Sequence, residues 1–400
     1  MSRTLLYVAY PMRLDLGAAN AIQTYSTVRE LQRVMPGVRL VVPRWLREPS
    51  AFEELGALHL PRPAANKLSK FLPWSGWSYI ERTVYAFMLL ALLMVWRLTG
   101  RRYRTLYIRD AVCAAWLAVL RPLHGSRVIY EVHDLEASHP SKASRWPRAF
   151  WRRFLPWLDR AALTRSDSLV SLTEAFRAGA ARKGLRQSEH VAVIPDAYDP
   201  EVYFPSDSRS ARTELALPQG VPIVGYAGLT FAYRGLDLLV QAFAQVRHRH
   251  PEALLVLVGG RAHEIVELRE LARRCGIPDE KVLFPGQVSQ PMSARYLNAS
   301  DVLVIPDTVT TMTASPLKLF EYMAVGKPIV CKDMPALREI LDDDSAAFFE
   351  AGSIKALAAA LASVLDNPEA ARKLGTTALQ RSTEYTYRAR AEKIAEVVRS

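Results

Sequence analysis

Residues 315–328 read Ser-Pro-Leu-Lys-Leu-Phe-Glu-Tyr-Met-Ala-Val-Gly-Lys-Pro, and the short apolar run Ile-Val-Cys follows at 329–331. Ser315 suits the residue that caps a helix, and Pro316 suits the first helical position, where its missing N–H costs nothing. The stretch therefore predicts a helix from Pro316 to Val325 and then a strand. This is one step of an alternating α/β fold.

The same alternation of short β-rich runs and helical stretches extends along the chain in both directions. In the second half, strands are predicted at Ile223–Ala227, Leu254–Val258, Val282–Phe284, Val302–Ile305 and Ile329–Cys331. In the first half, they are predicted at Leu5–Ala9, Arg39–Val42, Thr105–Ile108, Val128–Glu131, Leu169–Leu172 and Val191–Ile194. We expect two Rossmann-like, doubly wound domains that face a central cleft at the carboxyl ends of both sheets.

The 400 residues exceed what one hydrophobic core usually serves. Four prolines and few apolar residues between Ile194 and about Gly220 read as a linker. We therefore predict a first domain over residues 1–204, a second over residues 205–385, and a C-terminal helix over residues 386–400 that packs back on the first domain. The N-terminal apolar run is predicted to be a strand, because it is too short for a signal peptide.

Charge and tryptophan content differ between the two halves. Residues 1–200 carry 29 Lys and Arg against 16 Asp and Glu, whereas residues 201–400 carry 23 against 24. All eight tryptophans lie in the first half. The three cysteines have no CxxC spacing, which argues against a disulfide framework or a zinc site and favours a reducing compartment. Two different surfaces imply different partners.

The start of the helix after Ser315 is a candidate anion site. Unpaired N–H groups and the positive end of the helix dipole together bind phosphate, and Lys318 in the first turn adds a full charge. Glu321 lies among apolar residues, so its carboxylate is either buried or directed into a cleft, where ribose hydroxyls would be suitable donors. The alternative is a surface glutamate on an amphipathic helix.

Glycine-containing turns follow a predicted strand in each half. One contains Gly228 and leads to Arg234 at the start of a helix; the other contains Gly17. Backbone at such turns can approach a diphosphate closely, although any βα turn can hold glycine. His133 follows the strand Val128–Glu131, so it is predicted to lie at the carboxyl end of the sheet, where it is a candidate site residue. The alternative is a histidine with a structural role only.

These pieces together resemble the retaining glycosyltransferase family 4, the glycosyl transferases group 1 of the GT-B fold. The matching motifs are the loop at Gly17, Tyr107–Asp110, Tyr130–Asp134, Val193–Asp196, Tyr226–Leu229 with Arg234-Gly235, Val258–Gly260, Phe284–Val288 and the stretch at Ser315. They span nearly the whole chain, and the last motif is highly specific. The resemblance implies transfer of a sugar from a nucleotide-diphosphate sugar to an acceptor.

By position, the resemblance assigns a role to each motif. Glu321 matches the glutamate that holds the donor ribose, and Arg234 takes the place of a lysine that neutralises the diphosphate. His133 matches a histidine beside the transferred sugar. The remaining matches are to segments that contact donor sugar, phosphate and base: Ser315, Pro316, Leu317, Lys318, Gly286 and Val288. His133, Arg234 and Glu321 are thus the candidate catalytic residues, and Gly17 and Gly228 join the donor-binding set.

Two positions depart from the family pattern. Thr313 stands where a glutamate is common, and Leu229 stands where an arginine commonly follows the glycine. The resemblance implies retention of configuration, and the sequence offers no obvious protein nucleophile. Positive charge and helix-end amides can stabilise the departing diphosphate, so no metal or other cofactor is expected. The departures leave open a second hypothesis, a sugar-nucleotide-binding protein with little or no transfer activity.

The basic, tryptophan-rich first half bears on the acceptor. A helical stripe near residues 144–158 places apolar residues beside arginines, which suits an anionic membrane interface, and a loop near Trp74 could insert as well. The predicted acceptor or membrane residues are Trp74, Trp77, Arg148, Trp151, Arg152 and Arg153. The alternative is that the tryptophans form core. We expect a glycan or glycolipid acceptor, no nucleic-acid partner, and a cytoplasmic location, peripheral at the inner face of the cell membrane.

Overall fold

A computed structural model describes residues 3–63, 76–133, 135–138, 148–231, 234–307 and 316–400. The chain forms two compact units, which are described separately. Unit 1 comprises Met1–Pro195 and Tyr387–Ser400, and unit 2 comprises Asp196–Thr386. The division thus falls after Pro195 rather than at the predicted residue 205.

The described part of unit 1 contains a parallel sheet of seven strands in the order β3-β2-β1-β4-β5-β6-β7. The strands are β1 Arg3–Val8, β2 Val38–Arg44, β3 Leu58–Pro61, β4 Tyr103–Ile108, β5 Arg127–Val132, β6 Ser168–Ser171 and β7 Val191–Val193. Its helices are α1 Ala19–Val34, α2 Trp77–Leu98, α3 Ala111–Val119, α4 Arg121–His124, α5 Arg148–Arg165, α6 Glu174–Arg182 and α15 Tyr387–Arg399.

The described part of unit 2 contains a parallel sheet of six strands in the order β10-β9-β8-β11-β12-β13. The strands are β8 Ile223–Ala227, β9 Leu254–Val258, β10 Val282–Gly286, β11 Val302–Ile305, β12 Ile329–Lys332 and β13 Ala347–Phe349. Its helices are α7 Ser208–Glu214, α8 Leu236–Val246, α9 Ala262–Arg274, α10 Gln290–Ala299, α11 Leu317–Ala324, α12 Pro335–Arg338, α13 Ile354–Asp366 and α14 Pro368–Ser382.

Both sheets are buried on both faces. In β8, Val224 and Tyr226 face one apolar cluster, and Ile223 and Ala227 face another. Parallel strands covered by helices on both sides are near-continuous apolar runs, which is why the sequence predicted these strands well. The strand orders are those of doubly wound folds, and the predicted α/β, GT-B fold class is confirmed.

The last helix, α15, belongs to unit 1. Ala391, Ile394, Ala395 and Val398 recur at helical spacing, and all four are buried in an apolar cluster shared with α1. The helix thus covers one face of the unit 1 sheet, although it follows unit 2 in the chain.

The linker predicted between Ile194 and Gly220 is wrong, because this segment is part of unit 2. Tyr198 and Tyr203 are buried in the core of unit 2, and α7 lies within the segment. Asn298 holds it with two hydrogen bonds, accepting from the Ser206 N–H and donating to the Phe204 carbonyl oxygen. The segment with these prolines therefore packs against unit 2 and is not a flexible linker.

Helix α2 is covered on one face only. Tyr85, Leu89 and Leu93 are buried in the core of unit 1, whereas Phe87, Val95 and Leu98 on the other face are exposed. Helix α2 is therefore buried on one side and exposed on the other. By length and composition α2 could cross a membrane, and 39% of its most apolar window is buried within the protein.

Candidate functional site

The strand order of unit 2 reverses between β8 and β11, and the loops that leave these two strands form the candidate site. Ligands of open α/β sheets bind at such a reversal, outside the carboxyl ends of the strands. Gly228 follows β8, and Pro306 and Asp307 follow β11. Helix α11 begins after the second of these loops.

Glycines allow the loop after β8 to pass close to its neighbour. The Gly228 N–H donates to the Val258 carbonyl oxygen at 3.0 Å. A Cβ atom at Gly259 would lie 2.1 Å from the carbonyl oxygen of Gly228, and Gly259 also has a φ of +108°. Gly259 therefore cannot carry a side chain without backbone movement.

Lys318 lies in the first turn of α11, buried beneath the Gly228 loop. Its Nζ donates to the Tyr226 hydroxyl at 2.5 Å and sits 3.8 Å from the centre of that ring. A Cβ atom at Gly228 would lie 3.0 Å from Nζ. Burial, and then the nearby charge of Arg234, hold the pKa of Lys318 well below its usual range. An anion bound here would stabilise the charged form of Lys318 and raise its pKa again.

Glu321 follows Lys318 by one helical turn and is half-buried. Burial raises the pKa of its carboxyl group to about 7, although the Tyr203 hydroxyl donates to it and Lys318 attracts it. A ligand that offers further hydroxyl donors would stabilise the ionised form of this carboxyl group. Tyr203 lies in the segment predicted to be a linker, and no local sequence pattern predicts its contact with Glu321.

Helix α11 is tied to the end of β8 through Tyr322. The Ala227 N–H donates to the Tyr322 hydroxyl at 2.7 Å, and that hydroxyl lies 3.2 Å from the Ala227 carbonyl oxygen. Arg234 precedes Gly235, whose φ of +67° starts α8. Two cations, Lys318 and Arg234, and one titratable carboxyl group thus converge on the loop around Gly228.

The other predicted donor-binding residues of unit 2 that the structure describes lie near the end of β10 and at the start of α11. Gly286 ends β10, and its carbonyl oxygen accepts from the Gly259 N–H at 2.7 Å, while Val288 packs against the core. Helix α11 begins at Leu317 rather than Pro316, because Pro316 keeps an extended ψ of 121° and itself occupies the cap position. The assignment of the cap to Ser315 is therefore wrong; Ser315 and Thr313 lie outside the described residues.

In unit 1, His133 belongs to a buried charged cluster at the carboxyl end of β5. The Glu131 side chain is fully buried, and its Oε1 atom lies 2.5 Å from His133 Nε2 and 3.1 Å from Arg109 Nε. Its Oε2 atom accepts from the Tyr107 hydroxyl and, at 2.6 Å, from Arg390 Nη2. Arg109 also reaches α1, where it donates to Thr24 Oγ1 at 2.6 Å.

The surroundings of Glu131 and His133 in this cluster shift the pKa of each. Burial alone would raise the pKa of Glu131, but the charges of Arg390 and Arg109 and the contact with His133 hold it well below its usual range. Burial, and then Arg109, lower the pKa of His133 to about 4, so the ring is neutral at pH 7. His133 Nε2 lies between the Glu131 carboxylate and Arg109 Nε, which donates to it at 3.0 Å.

Gly17 lies in unit 1, whereas the other predicted donor residues lie in unit 2. Its N–H donates to Asp15 Oδ1 at 3.0 Å, and Asp15 in turn pairs with Arg13. Of the predicted membrane residues, Trp77 is half-buried on α2 and Arg153 is exposed on α5. Trp74 lies outside the described residues, as do the side chains of Arg148, Trp151 and Arg152. Pro156 does not end α5, which continues to Arg165.

Within the described residues, no group of three or more His, Cys, Asp or Glu side chains could hold a metal ion. Independence from metal stays a prediction.

Two family models match the chain over the two units. The model of the glycosyl transferases group 1 matches residues 207–381, and that of the glycosyl transferase 4-like domain matches residues 21–197. This chain belongs to the group 1 glycosyl transferases. The first match contains Gly228, Arg234, Lys318 and Glu321, and the second contains His133.

Curated relatives of this group 1 glycosyl transferase include D-inositol 3-phosphate glycosyltransferases. The one from Stackebrandtia nassauensis is 28% identical over 242 residues, 58% of this chain and 52% of the relative. The one from Xylanimonas cellulosilytica is 30% identical over 188 residues, 45% of this chain and 43% of the relative. The matched region thus spans about half the length of these relatives.

Among solved structures, the sucrose-phosphate synthase of Thermosynechococcus elongatus has a TM-score of 0.76 at 20% identity, over 99% of this chain and 98% of that chain. Anabaena HepE in complex with UDP and glucose has a TM-score of 0.73 at 15% identity, over the full length of both chains. At these identities the likeness shows that the glycosyl transferase shares their fold.

Replacing Glu131 by glutamine should strongly destabilise the glycosyl transferase. The change leaves Arg109 and Arg390 buried without their carboxylate, and breaking a buried ion pair in this way costs about 3–5 kcal/mol. Glu392→Gln is the control, because Glu392 pairs with Arg388 on the exposed face of α15 and should change the free energy of unfolding by about 1 kcal/mol or less. Urea denaturation measures both; equal losses would contradict the cluster.

The ionisation of Glu321 should make stability depend on pH. Because its folded pKa is raised from 4.5 to about 7, the stability that its protonated form contributes is fully present below pH 4.5 and is lost as the pH rises through 7. Relative to Glu321→Gln, the wild-type free energy of unfolding should fall by up to about 3 kcal/mol between pH 5 and pH 8. Denaturation at the two pH values measures this, with Glu350→Gln at an exposed position as the control. A constant difference would refute the assigned environment.

Proposed function

We propose that this chain is an enzyme that transfers a sugar from a nucleoside diphosphate sugar to an acceptor. The proximity of two basic side chains, Lys318 buried beneath the Gly228 loop and Arg234 close enough to lower its pKa, carries the proposal, because adjacent basic groups suit a diphosphate. The match of residues 207–381 to the group 1 family supports it, as does the UDP bound in the HepE structure of the same fold.

Each side chain has a distinct task in this proposal. Lys318 and Arg234 neutralise the diphosphate, whose negative charge grows as the bond to the sugar breaks. The N–H groups at the start of α11 add to this stabilisation. Glu321 accepts hydrogen bonds from the ribose hydroxyls, and these donors favour its ionised form.

We propose further that the sugar keeps its configuration and that no metal is needed. The acceptor then attacks on the face that the diphosphate leaves, and the two cations supply the charge that a metal would otherwise provide. His133 of unit 1 is held by Glu131 and Arg109 and is neutral at pH 7. The basic first half of the chain favours an acceptor at the anionic inner face of the cell membrane, such as a glycolipid or a lipid-linked glycan.

Turnover with a panel of UDP-, GDP- and ADP-sugars tests the enzyme and its donor. Lys318→Met should lower kcat by about 10²–10³-fold with a donor that the wild type uses, the loss typical of one preorganised group that stabilises developing charge. Lys327→Met is the control, because Lys327 is a half-buried lysine of unit 2 that donates to Ser208 Oγ at 2.6 Å instead. Its kcat should stay unchanged.

Equal activity of Lys318→Met and the wild type would refute the assigned site. Turnover that persists in EDTA would support independence from metal, and its loss would contradict it. The departures at Thr313 and Leu229 favour one competing function, a sugar-nucleotide-binding protein. Tight binding of a nucleotide sugar without transfer or slow hydrolysis, across the whole panel, would establish that function instead.

A further inference from the structure

Helix α2 carries a continuous apolar stripe on its exposed face. The exposed residues recur at spacings of three and four, as one face of a helix requires. This α2 stripe consists of Ile80, Val84, Phe87, Ala91, Met94, Val95 and Leu98. It includes Val95, exposed by 54%, and Leu98, exposed by 86%, and it contains no charged residue. At 1.5 Å per residue it is about 27 Å long.

Aromatic contacts extend the exposed apolar surface onto α5. Phe87 of the stripe lies 5.3 Å from the Trp116 ring, and Trp116 lies 5.4 Å from Trp157, which is 41% exposed. Arg153 and Arg160 are exposed one turn before and one turn after Trp157. Neither arginine makes an ion pair with a carboxylate in the described part of the chain.

A pocket rich in arginine lies at the end of the stripe. Its lining includes Arg97, Arg101 and Arg102 together with Trp96 and His124. Arg97 is held by the carbonyl oxygens of Pro122 and Leu123 at 3.0 and 2.9 Å. Burial lowers the pKa of His124, so the ring is neutral at pH 7. The lining therefore holds three cations and no carboxylate.

From these two observations we infer that the α2 stripe and the arginine pocket dock unit 1 onto an anionic phospholipid surface. The stripe lies in the interfacial plane with its apolar side chains among the acyl chains, and the pocket binds the phosphate of a headgroup. Crossing the bilayer would strip Tyr85, Leu89 and Leu93 from the core, so α2 lies on the membrane. This inference rests on the proposed function, since it names the surface at which a lipid acceptor is met.

Charge argues against a second copy of the chain as the occupant. A symmetric contact through the stripe would bring two copies of the same arginine-containing rim, with Arg101, Arg153 and Arg160, into one interface, and like charges at an interface cost free energy. An anionic lipid surface supplies the opposite charge along the same rim.

Sedimentation of the full chain with vesicles tests the stripe. The wild type should bind phosphatidylcholine vesicles that contain phosphatidylglycerol, and binding should weaken as salt rises. Val95→Glu/Leu98→Glu should lower the partition coefficient at least tenfold. The control is Leu46→Glu/Val266→Glu, which makes the same change at side chains exposed by 94% and 60%. Leu98→Glu alone replaces the double variant if that variant does not fold.

A second pair of variants tests the pocket. Arg101→Ala/Arg102→Ala should lower binding to the phosphatidylglycerol vesicles by about thirtyfold, the effect of two arginines near such a surface. Arg372→Ala/Lys373→Ala removes two adjacent exposed cations of unit 2 and should leave binding unchanged. Equal weakening by both pairs, or equal binding to pure phosphatidylcholine, would overturn the headgroup site.

The remaining outcomes separate this inference from the proposed function. A wild type that binds neither vesicle overturns the docking surface, as does a dimer in analytical ultracentrifugation that Val95→Glu/Leu98→Glu dissociates. The melting temperature with each nucleotide sugar of the UDP-, GDP- and ADP-sugar panel, measured on the same samples, reports donor binding alone. Vesicle binding without a shift in that temperature counts against the donor site and leaves the docking surface standing.

Discussion

The fully buried carboxylate of Glu131 is the constraint on which unit 1 depends. A charge without access to water is tolerated only with opposite charges and donors around it, and Glu131 obtains these from several elements. Arg109 comes from the end of β4, His133 from the end of β5, and Arg390 from α15. Arg390 also donates to the carbonyl oxygens of Ile194 and Pro195, where unit 1 gives way to unit 2. One carboxylate thus orients the candidate catalytic histidine and fastens the returning C-terminal helix.

Unit 2 presents the opposite electrostatic situation. Lys318 is buried with a lowered pKa, Arg234 lies close enough to contribute to that lowering, and the only carboxyl group acting on Lys318 in the described residues, Glu321, has a raised pKa. The charge of Glu131 is therefore satisfied within the protein, whereas an anionic ligand would stabilise the charged form of Lys318. Preorganised charge of this kind is what the departure of a diphosphate requires, since little reorganisation is needed when the bond breaks.

The sequence predicts well those features that local pattern determines. β8, β9 and β11 were predicted with the bounds that the structure has, because buried parallel strands are uninterrupted apolar runs. β3 and β13 were missed, since they are short edge strands whose residues are mostly half-buried. In the site, Lys318 and Glu321 could be found from their place on one predicted helix. Tyr203 and Arg390 could not be found in this way, because each contacts a residue that is far away in the chain. Arg390, for example, binds Glu131 across 259 residues, and no local pattern encodes that contact.

The central claim is that unit 2 binds the nucleotide of the donor at the loop around Gly228 and the start of α11. Hydrogen–deuterium exchange of the full chain, followed by mass spectrometry with and without UDP, tests it most directly, because amides that contact a ligand exchange more slowly. The account predicts the largest protection in peptides that cover residues 228–235 and 316–324, and its loss in Lys318→Met. Protection confined to peptides of unit 1, or unchanged exchange in both peptides at saturating UDP, would contradict it.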